Sequence, residues 1–136
     1  MTSGTASSGS ALHGLRVLVV EDETIVSLMI ESMLTDLGCD DVWYASGIEE
    51  GLALLDARTP DAAVLDVNLA GDPVYPIARR LADAGVPFVF ATGYGASGIN
   101  ADWVGRPVVQ KPFQSEALHS ALASALGARS ATDVSY

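Results

Sequence analysis

The chain has 136 residues, enough for one domain with one proper core. Hydrophobic residues make up 49% of it, which excludes an intrinsically disordered chain, and its apolar runs are too short for a membrane helix, so it reads as soluble with no membrane partner. Seventeen acidic residues against seven basic give a net charge of −10, which repels nucleic acid and suits cations or a basic partner surface.

Taken in order, residues 1–13 are mostly Ser, Thr, Gly and Ala and read as a disordered tail before a single domain over residues 14–127. The tail lacks the apolar core and basic start of a signal peptide, and the single cysteine, Cys39, cannot close an internal disulfide. Both fit a cytoplasmic location. Leu15 to Val20 is a short valine-rich strand ending in Glu21 and Asp22. Val26, Ile30, Met33 and Leu37 recur at helical spacing, so a helix is predicted from Thr24 to Leu37, stopped by Gly38. Val42 to Ala45 is a second strand, with Trp43 packing at a sheet edge, and Ile48, Leu52 and Leu55 mark a second helix ending before Pro60.

Ala62 to Leu69 is the stretch around which the rest is arranged: a short apolar run that carries Asp66 to its end and then breaks at Gly71. Asp72 and Pro73 read as an N-cap and the first residue of a third helix, with Val74, Ile77 and Leu81 as its apolar stripe. Pro87 to Ala91 is a fourth strand, ending at Thr92. Gly93, Gly95 and Gly98 then interrupt a segment where the alternation requires a helix, each costing about 1 kcal/mol against alanine. A short, weak fourth helix is expected there, covered by Trp103. Pro107 to Gln110 is a fifth strand leading to Lys111 and Pro112. Ser115 opens a last helix with Ala117, Leu118, Ala121, Leu122 and Ala125 inward, His119 outward and Gly127 as its stop, leaving 128–136 as a tail.

Five strands alternating with five helices through short connections imply right-handed crossovers and a doubly wound α/β sandwich: a parallel five-stranded sheet with helices on both faces. Ligands of such sheets bind at the carboxyl ends of the strands, where Glu21, Asp22, Asp66, Thr92 and Lys111 all fall. If the first and third strands are neighbours, three carboxylates meet. Two like charges ~5 Å apart repel by about 3 kcal/mol at an effective dielectric of 20. Such a cluster takes either a divalent cation or a proton, and hard oxygen ligands favour Mg²⁺. Lys111 brings a point charge suited to phosphate and Thr92 a hydroxyl donor. A carboxylate nucleophile with a metal, a lysine and a hydroxyl describes formation of an aspartyl phosphate.

The set Glu21-Asp22, Asp66, Thr92 and Lys111-Pro112-Phe113 resembles the receiver domain of two-component response regulators, over roughly Leu15 to Leu126. The resemblance implies a flavodoxin-like sheet of order 2-1-3-4-5. It implies that Asp66 accepts a phosphoryl group from a histidine kinase or phosphotransfer protein, and that a change of state then alters binding to a downstream protein. Glu21, Asp22, Asp66 and the main-chain carbonyl of Asn68 would hold Mg²⁺, Thr92 and Lys111 would contact the phosphoryl oxygens, and the bond before Pro112 would be cis. Pro87-Phe88-Val89-Phe90-Ala91-Thr92-Gly93-Tyr94 is similar to the signature of the FAT GUY group of stand-alone bacterial receivers. The chain departs from most receivers at Val108, three residues before the lysine, where an aromatic switch residue usually stands. Tyr94, two residues past Thr92, is the expected replacement.

An aspartate-nucleophile phosphatase is the alternative reading, but such enzymes resemble Asp-x-Asp, and the second position here is Asn68. A flavin-binding protein would need its phosphate loop at Glu21-Asp22-Glu23, where three acids repel a phosphate.

Overall fold

The computed structural model describes residues 12–93 and 99–134. In chain order the elements are β1 (Arg16–Val20), α1 (Thr24–Asp36), β2 (Asp41–Ala45), α2 (Ile48–Ala57), β3 (Ala62–Asp66), β4 (Asn68–Leu69), β5 (Asp72–Pro73), α3 (Tyr75–Asp83), β6 (Phe88–Thr92), a 3-10 turn (Ala101–Trp103), β7 (Val108–Gln110) and α4 (Ser115–Val134).

Five strands form one parallel sheet in the order β2-β1-β3-β6-β7. Counting only those five in chain order, this is the expected 2-1-3-4-5. The register sets Val20 beside both Ala45 and Leu65, Asp66 beside Ala91, and Thr92 beside Gln110. β3 lies in the middle and is buried at every residue, as its unbroken apolar run requires. Successive strand residues face opposite ways, so each strand supplies two cores. Leu18, Val20, Ala63, Leu65, Phe88 and Phe90 meet Ile77 and Leu81 of α3 on one face. Val17, Val19, Ala62, Val64 and Val89 meet Ile30 and Leu34 of α1 and Leu118 and Leu122 of α4 on the other. Trp43 packs on the edge strand β2, with its indole N–H donating to Asp41 at 2.9 Å and the Arg58 guanidinium 3.9 Å above its ring. Gly51 lets α2 pack against Ile77 of α3: a Cβ there would stand 2.5 Å from Ile77 Cδ1.

Several details differ from expectation. Leu12, assigned to the tail, is fully buried in the second core. Asp72 and Pro73 do not start a helix. They pair with Asn68 and Leu69 as a small antiparallel hairpin, because Ala70 (φ 54°) and Gly71 (φ 99°) turn the chain through the left-handed region. Asn68 closes that turn by accepting the Gly71 N–H at 2.7 Å, and the helix begins at Tyr75 with Pro76 in its first turn. Most of the segment expected as a short, weak helix, including Gly95 and Gly98, lies outside the described residues; between residue 99 and β7 the described residues hold the 3-10 turn. Trp103 is 7% exposed and inserts among Phe88, Phe90 and Tyr75. Finally, α4 continues through Gly127 to Val134 while Ala117 stands exposed. Gly127 costs that helix only about 1 kcal/mol and does not take a left-handed conformation, so it does not end it.

Candidate functional site

Parallel pairing brings the carboxyl ends of β1, β3, β6 and β7 to one edge of the sheet. Glu21 and Asp22 follow β1, Asp66 ends β3, Thr92 ends β6 and Lys111 follows β7. Burial is the reason these groups are informative: the acids Glu21 and Asp66 are 2% and 8% exposed, and the polar Thr92 is 4% exposed. Charged groups so buried need partners. The Lys111 ammonium donates to Glu21 Oε1 at 2.7 Å and lies 3.4 Å from Asp66 Oδ2. Its own backbone N–H donates to the Thr92 carbonyl at 2.9 Å, which fixes the root of the side chain to the end of β6. The other Glu21 oxygen accepts the Glu23 N–H at 3.1 Å, so this carboxylate also serves the start of α1. Asp66 Oδ1 accepts the Asn68 N–H at 3.4 Å.

One lysine does not neutralise the cluster. Burial, and next the Glu21 charge, push the Asp66 carboxyl up to about 7, although Lys111 and the Asn68 N–H oppose the rise. Burial disfavours the Lys111 ammonium, but its contacts with Glu21 and Asp66 outweigh that and raise its pKa above the ordinary 10.5. Carboxylate oxygens of Glu21, Asp22 and Asp66 lie within 4.8 Å of one another. Three hard oxygen donors around one point, with charge left over, fit a divalent cation of the Mg²⁺ type.

A cavity of about 310 Å³ opens beside Asp66, lined by Asn68, Gly71, Pro73, Tyr75, Thr92 and Gly93. The structure thus brings together Glu21, Asp22, Asp66 and Lys111, and sets Thr92 and Asn68 on the same cavity. The Lys111–Pro112 peptide is cis. Pro112 and Phe113 lead away from the carboxylates into an apolar groove of about 350 Å³ against Val26, Met29 and Met33 of α1. Tyr94 lies outside the described residues. Tyr75 is a cavity residue that sequence reasoning missed. It sits at a helix start, outside the Val74-Ile77-Leu81 stripe, and its only signal was its place soon after the Asp66 strand.

Among the described residues, no helix is long and apolar enough to cross a membrane. The family profile of the response regulator receiver domain matches residues 17–123. SdrG from Sphingomonas melonis Fr1 superposes with a TM-score of 0.75 at 39% identity, over 86% of this chain and 98% of that one. A second structure, titled the BeF3-activated conformation of SdrG from Pseudomonas melonis Fr1, gives 0.70 at 38% identity over 80% and 93%. The response regulator PhyR from Brucella abortus gives 0.80 at 25% identity, over 98% of this chain and 56% of that one. Among curated proteins, the sensory transduction protein LytT of Bacillus subtilis is 31% identical over 112 residues, 79% of this chain and 46% of LytT. The chain spans about half the length of the curated relatives it matches.

Proposed function

The chain belongs to the response regulator receiver domain family of two-component systems, and from that premise we propose that it is a phosphorylation-controlled binding module with Asp66 as its phosphoacceptor. One observation carries the reading. Asp66 is a buried carboxylate at the end of the central strand, held beside a lysine and two further acids and opening on a cavity. A structural aspartate needs none of these neighbours.

In this reading an Asp66 oxygen attacks the phosphorus of a phosphohistidine on a histidine kinase or phosphotransfer protein. The new P–O bond forms as the P–N bond breaks. The attacking carboxylate must be ionised, and a carboxyl raised to about 7 is not fully so at neutral pH. Glu21, Asp22, Asp66 and the Asn68 carbonyl would hold Mg²⁺, which when bound favours the ionised carboxylate and neutralises charge on the transferring group. Lys111, now on Glu21, is within reach of a phosphoryl oxygen on Asp66 and would exchange one anion for the other. The Thr92 hydroxyl is a second donor on the same cavity. Thr92 and Tyr94 would carry the change of state outward, since Val108 on β7 has no ring to reorient. The BeF3-activated conformation of SdrG, a relative of similar extent, supports such a switch.

The chemistry is limited to the protein's own phosphorylation and dephosphorylation, and the output is binding to a downstream protein in the cytoplasm, without contact to nucleic acid or membrane. The narrower likeness to stand-alone FAT GUY receivers belongs to the same reading. Incubation with a small phosphodonor and Mg²⁺, followed by intact mass, tests it. We expect one added phosphoryl group, absent in Asp66→Asn; the same yield and acid stability of label in Asp66→Asn would refute the assignment.

A further inference from the structure

We propose that Tyr75 is a positioning residue that couples the Asp66 site to the turn at Ala101–Trp103, an inference that rests on Asp66 being the phosphoacceptor. Of the described residues lining the cavity with Asp66 and Thr92, Tyr75 is the aromatic one. Its hydroxyl accepts the backbone N–H of Asn100 at 2.8 Å. Its ring lies parallel to that of Trp103, 4° between planes and 6.2 Å between centroids, and edge-on to Phe90 at 6.0 Å. Asn100 in turn caps the 3-10 turn, its Oδ1 accepting the Asp102 N–H at 3.0 Å. A single side chain therefore borders the site, holds the residue that caps the turn, and stacks on the residue that anchors it.

The path back to Asp66 is short. Asp66 Oδ1 accepts from Asn68, the Val74 N–H donates to the Val67 carbonyl at 2.9 Å, and α3 begins at Tyr75. The hairpin between them is thus fastened at both ends, and a change at Asp66 reaches Tyr75 through few soft torsions. A hydroxyl that accepts from Asn100 still has a hydrogen to give. A phosphoryl group on Asp66 would bring about −2 of charge and strong acceptor oxygens into the cavity that Tyr75 lines. The hydroxyl would then donate to the anion, and the pull on it would lengthen the Asn100 contact and shift the ring on Trp103. Val108 packs in the same cluster but is β-branched and stiff, so it cannot take this part. The surface that would respond is the exposed one beyond Trp103: Val104, 77% exposed, and Arg79 and Arg106, whose guanidinium groups lie 5.1 and 5.8 Å from the indole centroid.

The test uses the full chain labelled with ¹⁵N and phosphorylated by a small phosphodonor with Mg²⁺, the phosphorylated fraction being read by intact mass. The indole N–H resonance of Trp103 is assigned by Trp103→Phe, which separates it from Trp43. In the parent we expect that resonance to move in proportion to the phosphorylated fraction. In Tyr75→Phe the movement per phosphorylated molecule should shrink at least about twofold, as expected when one link between two sites is cut. Before phosphorylation, the Asn100 amide of that variant should exchange roughly five- to tenfold faster, the scale of one lost hydrogen bond. A purely structural role for Tyr75 would alter both spectra alike and leave their difference intact. Asn100→Pro guards against misfolding of the tyrosine variant: Asn100 has φ −59°, which proline accepts, and the change deletes the donor while leaving Tyr75 in place. It should reduce the Trp103 response, whereas Asn100→Ala, which keeps the N–H, should not. A full Trp103 response in Tyr75→Phe or Asn100→Pro, or none in a phosphorylated parent, overturns the coupling while leaving Asp66 as the acceptor. A parent that takes up no phosphoryl group overturns the reading of the site, and the coupling with it.

Discussion

Lys111 is bound to Glu21 more tightly than to Asp66: the ammonium stands 2.7 Å from the one and 3.4 Å from the other. The Glu21 side chain is 1% exposed and that of Lys111 22%, so the carboxylate depends on the pair more than the ammonium does. Removing one partner of a buried ion pair costs about 3–5 kcal/mol, because the other is left charged and dry. Lys111→Met should therefore destabilise the metal-free protein by about 3 kcal/mol in urea unfolding. Glu21→Gln combined with Lys111→Met should recover part of that loss, since Glu21 then leaves no charge unpaired and Asp66 alone has lost its cation. Additive losses in the double variant would show that the pair is not coupled.

The pH dependence of stability follows from Asp66. Its folded pKa is about 7 against an ordinary 3.8, raised by burial and by Glu21. Between those values the folded state holds a proton that the unfolded chain has released. Stability must then fall as pH rises from about 4 to about 7, and level off above. At about 1.4 kcal/mol per unit, the whole effect is at most about 4 kcal/mol. Asp66→Asn cannot ionise, so its unfolding free energy should vary less over this range and exceed the parent's at pH 8. Parallel pH profiles for parent and variant, in urea unfolding with a chelator present, would contradict this.

The parts of this fold that rest on burial were legible in the sequence, and those that rest on local turn geometry were not. β3 could be read because a strand covered on both faces has to be an unbroken apolar run, and its acid at the tip then stands out. The convergence of Glu21, Asp66, Thr92 and Lys111 followed from their places at strand ends together with a strand order that the resemblance supplied. The β4–β5 hairpin was missed because Asp72-Pro73 is also a good helix start. What decides between the two is Ala70 at φ 54°, a conformation that alanine does not advertise. Tyr75 was missed for a related reason: its partners, Asn100 and Trp103, come from a stretch without periodicity, so no pattern linked them. The end of α4 was misplaced because a glycine marks a helix stop only when the chain there turns left-handed.

Gly51 sets two effects of opposite sign against each other. Alanine is better than glycine in a helix interior by about 1 kcal/mol. At this position, however, a Cβ would meet Ile77 Cδ1 at 2.5 Å and Cγ1 at 3.3 Å. Ile77 is fully buried and has little room to retreat, and overpacking of this kind costs about 1–3 kcal/mol. Gly51→Ala should lower thermal stability, and Gly51→Ala with Ile77→Val should regain part of it. A stabilised Gly51→Ala would mean that Ile77 finds another rotamer at no cost.

Mg²⁺ should stabilise the unphosphorylated protein, because the carboxylates of Glu21, Asp22 and Asp66 are assembled only in the folded chain. At 100 times the dissociation constant, a ligand that binds only the folded state adds about 2.7 kcal/mol. The size of the effect must depend on pH. Asp66, titrating near 7, has to release its proton to serve as a ligand, so each unit below pH 7 should weaken the ion's binding by up to about tenfold. Calorimetric titration with Mg²⁺ at pH 6 in buffers of different ionisation enthalpy would detect the expelled proton directly. Asp22→Ala keeps the buried pair and the Lys111 contacts but removes one donor, and should lose most of the thermal shift. Glu49→Ala, on exposed α2, provides the control for a general loss of negative charge. A Mg²⁺ shift in Asp22→Ala as large as in the parent would remove Asp22 from the ligand set, and a shift independent of pH between 6 and 8 would remove Asp66.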